Sequence, residues 1–296
     1  MVDICRFGRE FSFQTEAIEV LQNAESMLDA YAGAADLFLS CREALFAGSR
    51  TFWTQLDDLA EKTGVHRFTV HQIFLIFCTE ETRRRYAAAG YSENFYRDSM
   101  KDLRHKMEET HRVHGVWGVY CGPWLSALLA LQCFCLGRLQ FEIVPSEFHC
   151  EQGGHTLQPH DPVINIHVPS FGRLDYDAVM DAYRRAAEFF GHLFPDGAVW
   201  FHIESWLVYP PVSSLFPEGN LRRFAADFDV VHAWHDPKQD DRYRVFYLPP
   251  DAPMETYPET TALQRNLKAW LLDGNSMGIG FGLFLWKDGK IVPHEK

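Results

Sequence analysis

The side chains able to do acid–base chemistry in this chain gather on runs that read as strands. In 200–206 the sequence Trp-Phe-His-Ile-Glu-Ser-Trp puts Trp200, His202, Glu204 and Trp206 on one face by strict alternation. A carboxyl beside aromatic walls is harder to ionise, and a carboxylate with a raised pKa suits a general base. In 163–167 the same alternation sets Asn165 beside His167, and in 139–144 it sets Glu142 beside Gln140. Ranked as bases, Glu204 and Glu142 come first and His167 next. Tyr209, followed by Pro210 and Pro211, is a candidate acid, although a tyrosine in that setting more often packs. A lone strand histidine is more often a sheet residue satisfied by hydrogen bonds.

The elements that must position these groups fall into two halves. From Glu16 to about Leu136, apolar residues recur three and four apart, which predicts a helical bundle broken at Gly33, Gly48, Gly64 and Gly90. The apolar run 124–136 reads as the last buried helix, about half the roughly 20 residues of a membrane span. At Arg138 the period switches, and strands are expected at 138–144, 146–152 and 163–169. A short loop with Gly172 leads into a helix through Ala178, Ala182, Tyr183, Ala186 and Phe189. Strands at 198–208, 243–249 and 278–286 and helices near 220–228 and 261–274 complete the reading. The fold class is therefore α+β in two domains: an all-α helical bundle at 1–136 and a mixed α/β sheet domain at 137–296.

Composition narrows the function classes. The chain has 296 residues, 47% of them hydrophobic and 15% aromatic, enough for two cores. A net charge of -12 and a pI near 5.6 disfavour nucleic acid and anionic membrane as partners. The seven cysteines are odd in number and mostly set in apolar runs, and the N-terminus lacks the basic start and apolar core of a signal peptide, so a cytoplasmic location is expected.

At 137–142 (Gly-Arg-Leu-Gln-Phe-Glu), 164–174 (Ile-Asn-Ile-His-Val-Pro-Ser-Phe-Gly-Arg-Leu), 186–195 and 204–210 the chain resembles a bacterial family of two-domain acyltransferases, with a helical NAT-N domain and a GNAT-like C-terminal domain. The segment 95–119 resembles that family's approach to its second domain. The resemblance implies acyl-CoA, acetyl-CoA or a longer ester, as co-substrate, and an amine as acceptor: a small molecule, a peptide N-terminus or a lysine. It implies that two splayed parallel strands hold the pantetheine, so that His167, Val168, Ser170, Phe171, Gly172, Arg173 and Leu174 would contact CoA, with Ser205 and Trp206 on the second strand. Pro169-Ser170-Phe171-Gly172-Arg173-Leu174 stands where GNAT enzymes carry Arg/Gln-x-x-Gly-x-Gly/Ala. In such a reaction Glu204, Glu142 or His167 would take the proton of the amine, and Tyr209 would protonate the thiolate.

Two rival readings come from other classes. One is a metal enzyme using His149, Cys150, His155, His160 and His167, disfavoured because no His-x-His, His-Glu-x-x-His or Cys-x-x-Cys spacing occurs; no metal is expected. The other is a non-catalytic ligand-binding module that keeps the GNAT shape. Gly278, Gly280 and Gly282 lie within a strand and lack Gly-x-Gly-x-x-Gly spacing, which excludes a dinucleotide fingerprint; they predict close packing against that strand. The absence of Gly-x-Ser-x-Gly speaks against a serine hydrolase.

Overall fold

The computed structural model describes residues 3–235, 241–249 and 251–293. The chain divides into two compact units, Met1–Phe134 and Cys135–Lys296.

The first unit is helical: α1 (Ile4–Glu10), α2 (Thr15–Asp29), α3 (Ala34–Phe46), α4 (Trp53–Thr63), α5 (Arg67–Ala88), α6 (Glu93–His114) and α7 (Gly122–Leu129). Helix α5 is the axis of the unit. Val70, Ile73, Phe74, Leu75, Ile76 and Cys78 are all buried, so it is apolar on more than one side, and α2, α3, α4, α6 and α7 pack around it. Ser92 caps α6 by accepting from Phe95 N at 3.2 Å, and Tyr86 of α5 donates to Ser99 of α6 at 3.0 Å. Helix α1 begins well before Glu16, where the sequence pattern sets in, because Asp3 caps it by accepting from Arg6 N at 2.8 Å.

The run 124–136 is not one helix. Helix α7 stops at Leu129, Leu131 takes a left-handed backbone (φ 58°), and Cys133–Leu136 is strand β1. A leucine in that conformation carries strain, so strand pairing has overridden an apolar pattern that suits either element.

The second unit is built on a sheet of β1, β2 (Leu139–Pro145), β5 (Pro162–His167), β6 (Val199–Ser205), β8 (Ile279–Lys287) and β7 (Asp229–Trp234), in that order, with β9 (Lys290–Ile291) on β8. β3 (Cys150–Gln152) and β4 (His155–Leu157) form a separate hairpin around Gly153-Gly154 (φ 54° and 76°). The helices are α8 (Tyr176–Phe189), α9 (Pro210–Ser213), α10 (Asn220–Ala226), α11 (Arg242–Phe246) and α12 (Ala262–Leu272).

Alternation gives the sheet two different faces. On one, Phe141, Phe201 and Phe284 pack with Tyr183 of α8, whose ring is 5.6 Å from Phe201 and 4.9 Å from Phe284. On the other, Val163, Trp200, Phe281, Leu283 and Leu285 form a core with Leu157 of the hairpin. The hairpin is fixed there by Gln152, which donates to Val292 O and accepts from Leu285 N at 3.0 Å.

Residues 243–249, expected as a strand, instead contain α11. Asp241 pairs with Arg244 at 2.8 Å, Val245 and Phe246 are buried, and the Phe246 ring lies 4.4 Å from that of Tyr257, tilted against it. A local ion pair and a long-range aromatic contact outweigh the β propensity of the run. The strand beyond β8 is β7, which begins just after the helix expected near 220–228, in a stretch to which the sequence pattern assigns no element.

Candidate active site

Strand register creates an opening in the middle of the sheet. β5 and β6 run parallel and pair only at Ile164↔Phe201 and Asn165↔His202. Beyond that point β5 stays paired with β2 as far as Gln140↔His167, and β6 stays paired with β8 as far as Ser205↔Gly280. Each strand thus follows its outer neighbour and the two part, leaving backbone groups between them with no partner from the opposite strand.

Polar side chains converge on one face at the start of this opening. Glu142 and Asn165 are Cα partners, as are Asn165 and His202, which fixes them on a common face with His167 two residues further along β5. His167 Nε2 lies 2.8 Å from Glu142 Oε1, and Asn165 Nδ2 donates to the same oxygen at 2.9 Å. Both members of the pair are about three-quarters buried, with side-chain exposures of 26% and 23%. A carboxylate on Nε2 fixes the imidazole with its proton there and makes Nδ1 the basic atom. His202 stacks on Phe281 at 4.7 Å, and burial, aided by His167, lowers its pKa to about 4.

The loop from β5 to α8 is held by a residue that sequence reasoning passed over. Arg138, in the β1–β2 turn, donates from Nε to Arg173 O at 3.0 Å and from Nη2 to Pro169 O at 3.0 Å and Gly172 O at 3.5 Å, and its guanidinium lies 5.5 Å from the Phe171 ring centre. In a trans peptide the N–H points opposite to the C=O, so the N–H groups of Ser170, Arg173 and Leu174 are turned away from Arg138. Gly172 allows the turn with φ 69°, and Asp175 then caps α8 by accepting from Ala178 N at 3.1 Å. The outcome is a loop whose N–H groups at Ser170, Arg173 and Leu174 face away from Arg138, ahead of a helix N-terminus, an arrangement that suits an anion. No sequence pattern signals Arg138, since the carbonyls it binds lie 31 to 35 residues away.

Residues 133–284 match the family of the GNAT-like C-terminal domain, and residues 3–131 match the N-acyltransferase N-terminal domain. The chain belongs to this two-domain acyltransferase family. Its fold is shared with an acyltransferase solved with decanoyl-CoA and teicoplanin, at 19% identity and a TM-score of 0.74, covering 97% of this chain and 87% of that one. An acyltransferase mutant solved with octanoyl-CoA gives a TM-score of 0.75 at 19% identity with the same coverage. A complex with CoA and 10C-teicoplanin gives 0.74 at 19% identity, covering 94% and 86%. No curated protein matches the chain.

The remaining expected site residues of the acyltransferase are spread more widely. Glu204 shares the face of His202 but lies past the divergence and is exposed; partial burial, and after it the Glu147 carboxylate, raises its pKa. Ser205 ends β6 and accepts from Leu207 N at 3.2 Å, capping a 3-10 turn at Trp206–Val208. Trp206 therefore leaves the strand and does not share the face of Glu204 as alternation predicted; it meets Phe216 edge-on at 6.0 Å. Tyr209 sits on the opposite face, because Gly280 and Gly282 pair with Ser205 and Ile203 and a Cβ on Gly278 would come within 2.7 Å of the Tyr209 ring. The structure does not bring Tyr209 to the Glu142–His167 pair.

The five residues of the metal reading disperse. His149 meets Gln158 at 3.2 Å, His155 meets Lys287 at 2.7 Å and Asp196 at 3.3 Å, and His167 meets Glu142. Among the described residues no three His, Cys, Asp or Glu side chains converge as a metal would require, and no described helix is long and apolar enough to cross a membrane.

Proposed function

We propose that this acyltransferase takes its acyl group from acyl-CoA and transfers it to the amine of a small molecule. The observation that carries the reading is the parting of β5 and β6 immediately beyond Asn165 and His202, directly beside the Glu142–His167 pair. The released backbone edges suit the amides of a pantetheine arm, which add to a strand edge as a peptide does. The loop of Val168, Ser170, Phe171, Gly172, Arg173 and Leu174, with the N-terminus of α8, suits the pyrophosphate. An acyltransferase of the same fold is solved with decanoyl-CoA and teicoplanin, and another complex holds CoA and 10C-teicoplanin, which supports the reading.

In the reaction the chain's residues have distinct tasks. His167 Nδ1 takes a proton from the attacking amine while Glu142, on Nε2, stabilises the imidazolium that forms. Asn165 holds the Glu142 carboxylate in place through the bond at 2.9 Å. As the thiolate of CoA departs, the proton held by His167 can return to it and complete the free thiol. Glu204, with its raised pKa, is the second candidate for the proton-accepting role, and Tyr209 reaches the thiolate only around the rim of the sheet. The seven cysteines, odd in number and mostly set in apolar runs, suit a reducing cytoplasm.

Calorimetric titration with acetyl-CoA and decanoyl-CoA, followed by CoA release with a panel of primary amines including amino sugars and a lysine peptide, tests the proposal. Saturable binding and amine-dependent release are expected. Absence of binding at millimolar ester rejects it, and binding without release to any amine or to water converts the chain to a binding module.

A further inference from the structure

His202 takes no part in the steps above, yet its position is unusual. It is 6% exposed, it occupies the last point at which β5 and β6 pair, and it shares a face with Glu142 and His167. Among the described residues, neither of its ring nitrogens has a hydrogen-bond partner. A polar group buried without a partner is destabilising, and a Leu or Phe would fill a site between Leu283 and the Phe281 ring without that penalty. The ring is neutral at any working pH, because burial holds its pKa down to about 4. A neutral imidazole keeps one N–H to give.

We infer that His202 is a catalytic residue whose ring N–H binds the thioester carbonyl oxygen of acyl-CoA at the apex of the parted strands and stabilises the negative charge that forms there. The inference rests on the acyl-CoA reading. As the amine nitrogen bonds to the carbonyl carbon, the π pair of the C=O moves onto oxygen, and His202 holds that oxygen by a hydrogen bond without giving up its proton. The amine proton goes to His167. When the oxygen pair re-forms the C=O, the C–S bond breaks, its electrons leave with sulfur, and the proton on His167 completes the CoA thiol. A donor fixed in a dry position gains most as charge develops, which is when the rate is decided.

The experiment uses full-length wild-type protein, His202→Phe and His202→Gln. Phe keeps a ring over Phe281 and removes the N–H, and Gln restores a donor. With ¹⁵N-histidine labelling, saturating decanoyl-CoA should shift one imidazole resonance, which is missing from both variants. In CoA-release assays, with an amine where one serves and with water otherwise, kcat should fall about 100-fold in His202→Phe. His202→Gln should recover about a tenth of the wild-type rate, and the Kd for decanoyl-CoA should stay within about threefold. An unmoved His202 resonance at saturation, or an unchanged kcat in His202→Phe, overturns the inference and leaves the acyl-CoA reading intact. Wild-type protein that does not bind decanoyl-CoA overturns both.

Discussion

His167 and Glu142 form the pair on which turnover should depend most. Removing a positioned general base costs typically 10² to 10⁴ in rate, so His167→Ala should lower kcat by about 10²- to 10⁴-fold with acyl-CoA binding retained. Glu142→Gln keeps the shape but supplies no charge to the imidazolium, and a loss of about tenfold or more in kcat is expected. Steady-state kinetics on both variants checks this, and full activity in His167→Ala would pass the role to Glu204. Two buried groups should also make stability respond to pH in opposite directions. Burial raises Asp227 from 3.8 to about 6, so the folded state binds the extra proton and stability falls as pH rises from about 4 to 6. His202, lowered from 6.5 to about 4, binds its proton in the unfolded state, so its contribution is full above 6.5 and is lost as pH falls towards 4. The two slopes offset each other in the wild type. Asp227→Asn should therefore gain stability more steeply than wild type between pH 4 and 6, by roughly 1–3 kcal/mol over that span, measured by urea unfolding at stepped pH.

Elements place these residues, and two contacts between elements can be tested. Arg138 belongs to the β1–β2 turn yet sets the shape of the loop ahead of α8 through three carbonyls. Arg138→Gln should release that loop, raising the KM for acyl-CoA by about tenfold while leaving kcat close to wild type, since in the proposed complex the loop meets the phosphates and not the thioester. A parallel fall in kcat would instead place Arg138 in support of the catalytic pair. On the other face, Gly280 lets the backbone of the 3-10 turn press on β8: an added Cβ would lie 2.4 Å from Val208 O. That oxygen belongs to the backbone and cannot swing aside. Gly280→Ala should cost about 1–3 kcal/mol, seen as a lower urea midpoint with an unchanged m-value.

Across the whole molecule the two units differ in how well pattern alone describes them. The helical unit rests on local spacing, so its breaks at Gly33, Gly48, Gly64 and Gly90 coincide with helix ends, each glycine having a positive φ. The sheet unit rests largely on pairings far apart in sequence, such as β7 with β8, and it holds the segments that differ from the pattern: β1 and α11 are other elements than expected, and β7 lies where the pattern assigns none. If the chain binds acyl-CoA, ligand at 100 times its Kd adds about 2.7 kcal/mol to the stability of the folded state. A rise in melting temperature of several degrees with decanoyl-CoA, and none with adenine alone, is the expected result in differential scanning calorimetry.

The sequence by itself determined the α+β class, the two-part organisation, the strand carrying Asn165 and His167, the strand carrying His202 and Glu204, and the glycine loop before α8, because alternation, helical spacing and turn chemistry are local properties. It also supplied the list of acid–base residues. Only the tertiary structure decided which of them meet. Glu142 and His167 lie 25 residues apart in the chain and 2.8 Å apart in space, while Glu204 and Trp206, two residues apart, part company because β6 ends at Ser205. Register between strands is set by the whole core at once, and a shift of one residue would have turned His167 and Glu142 to opposite faces.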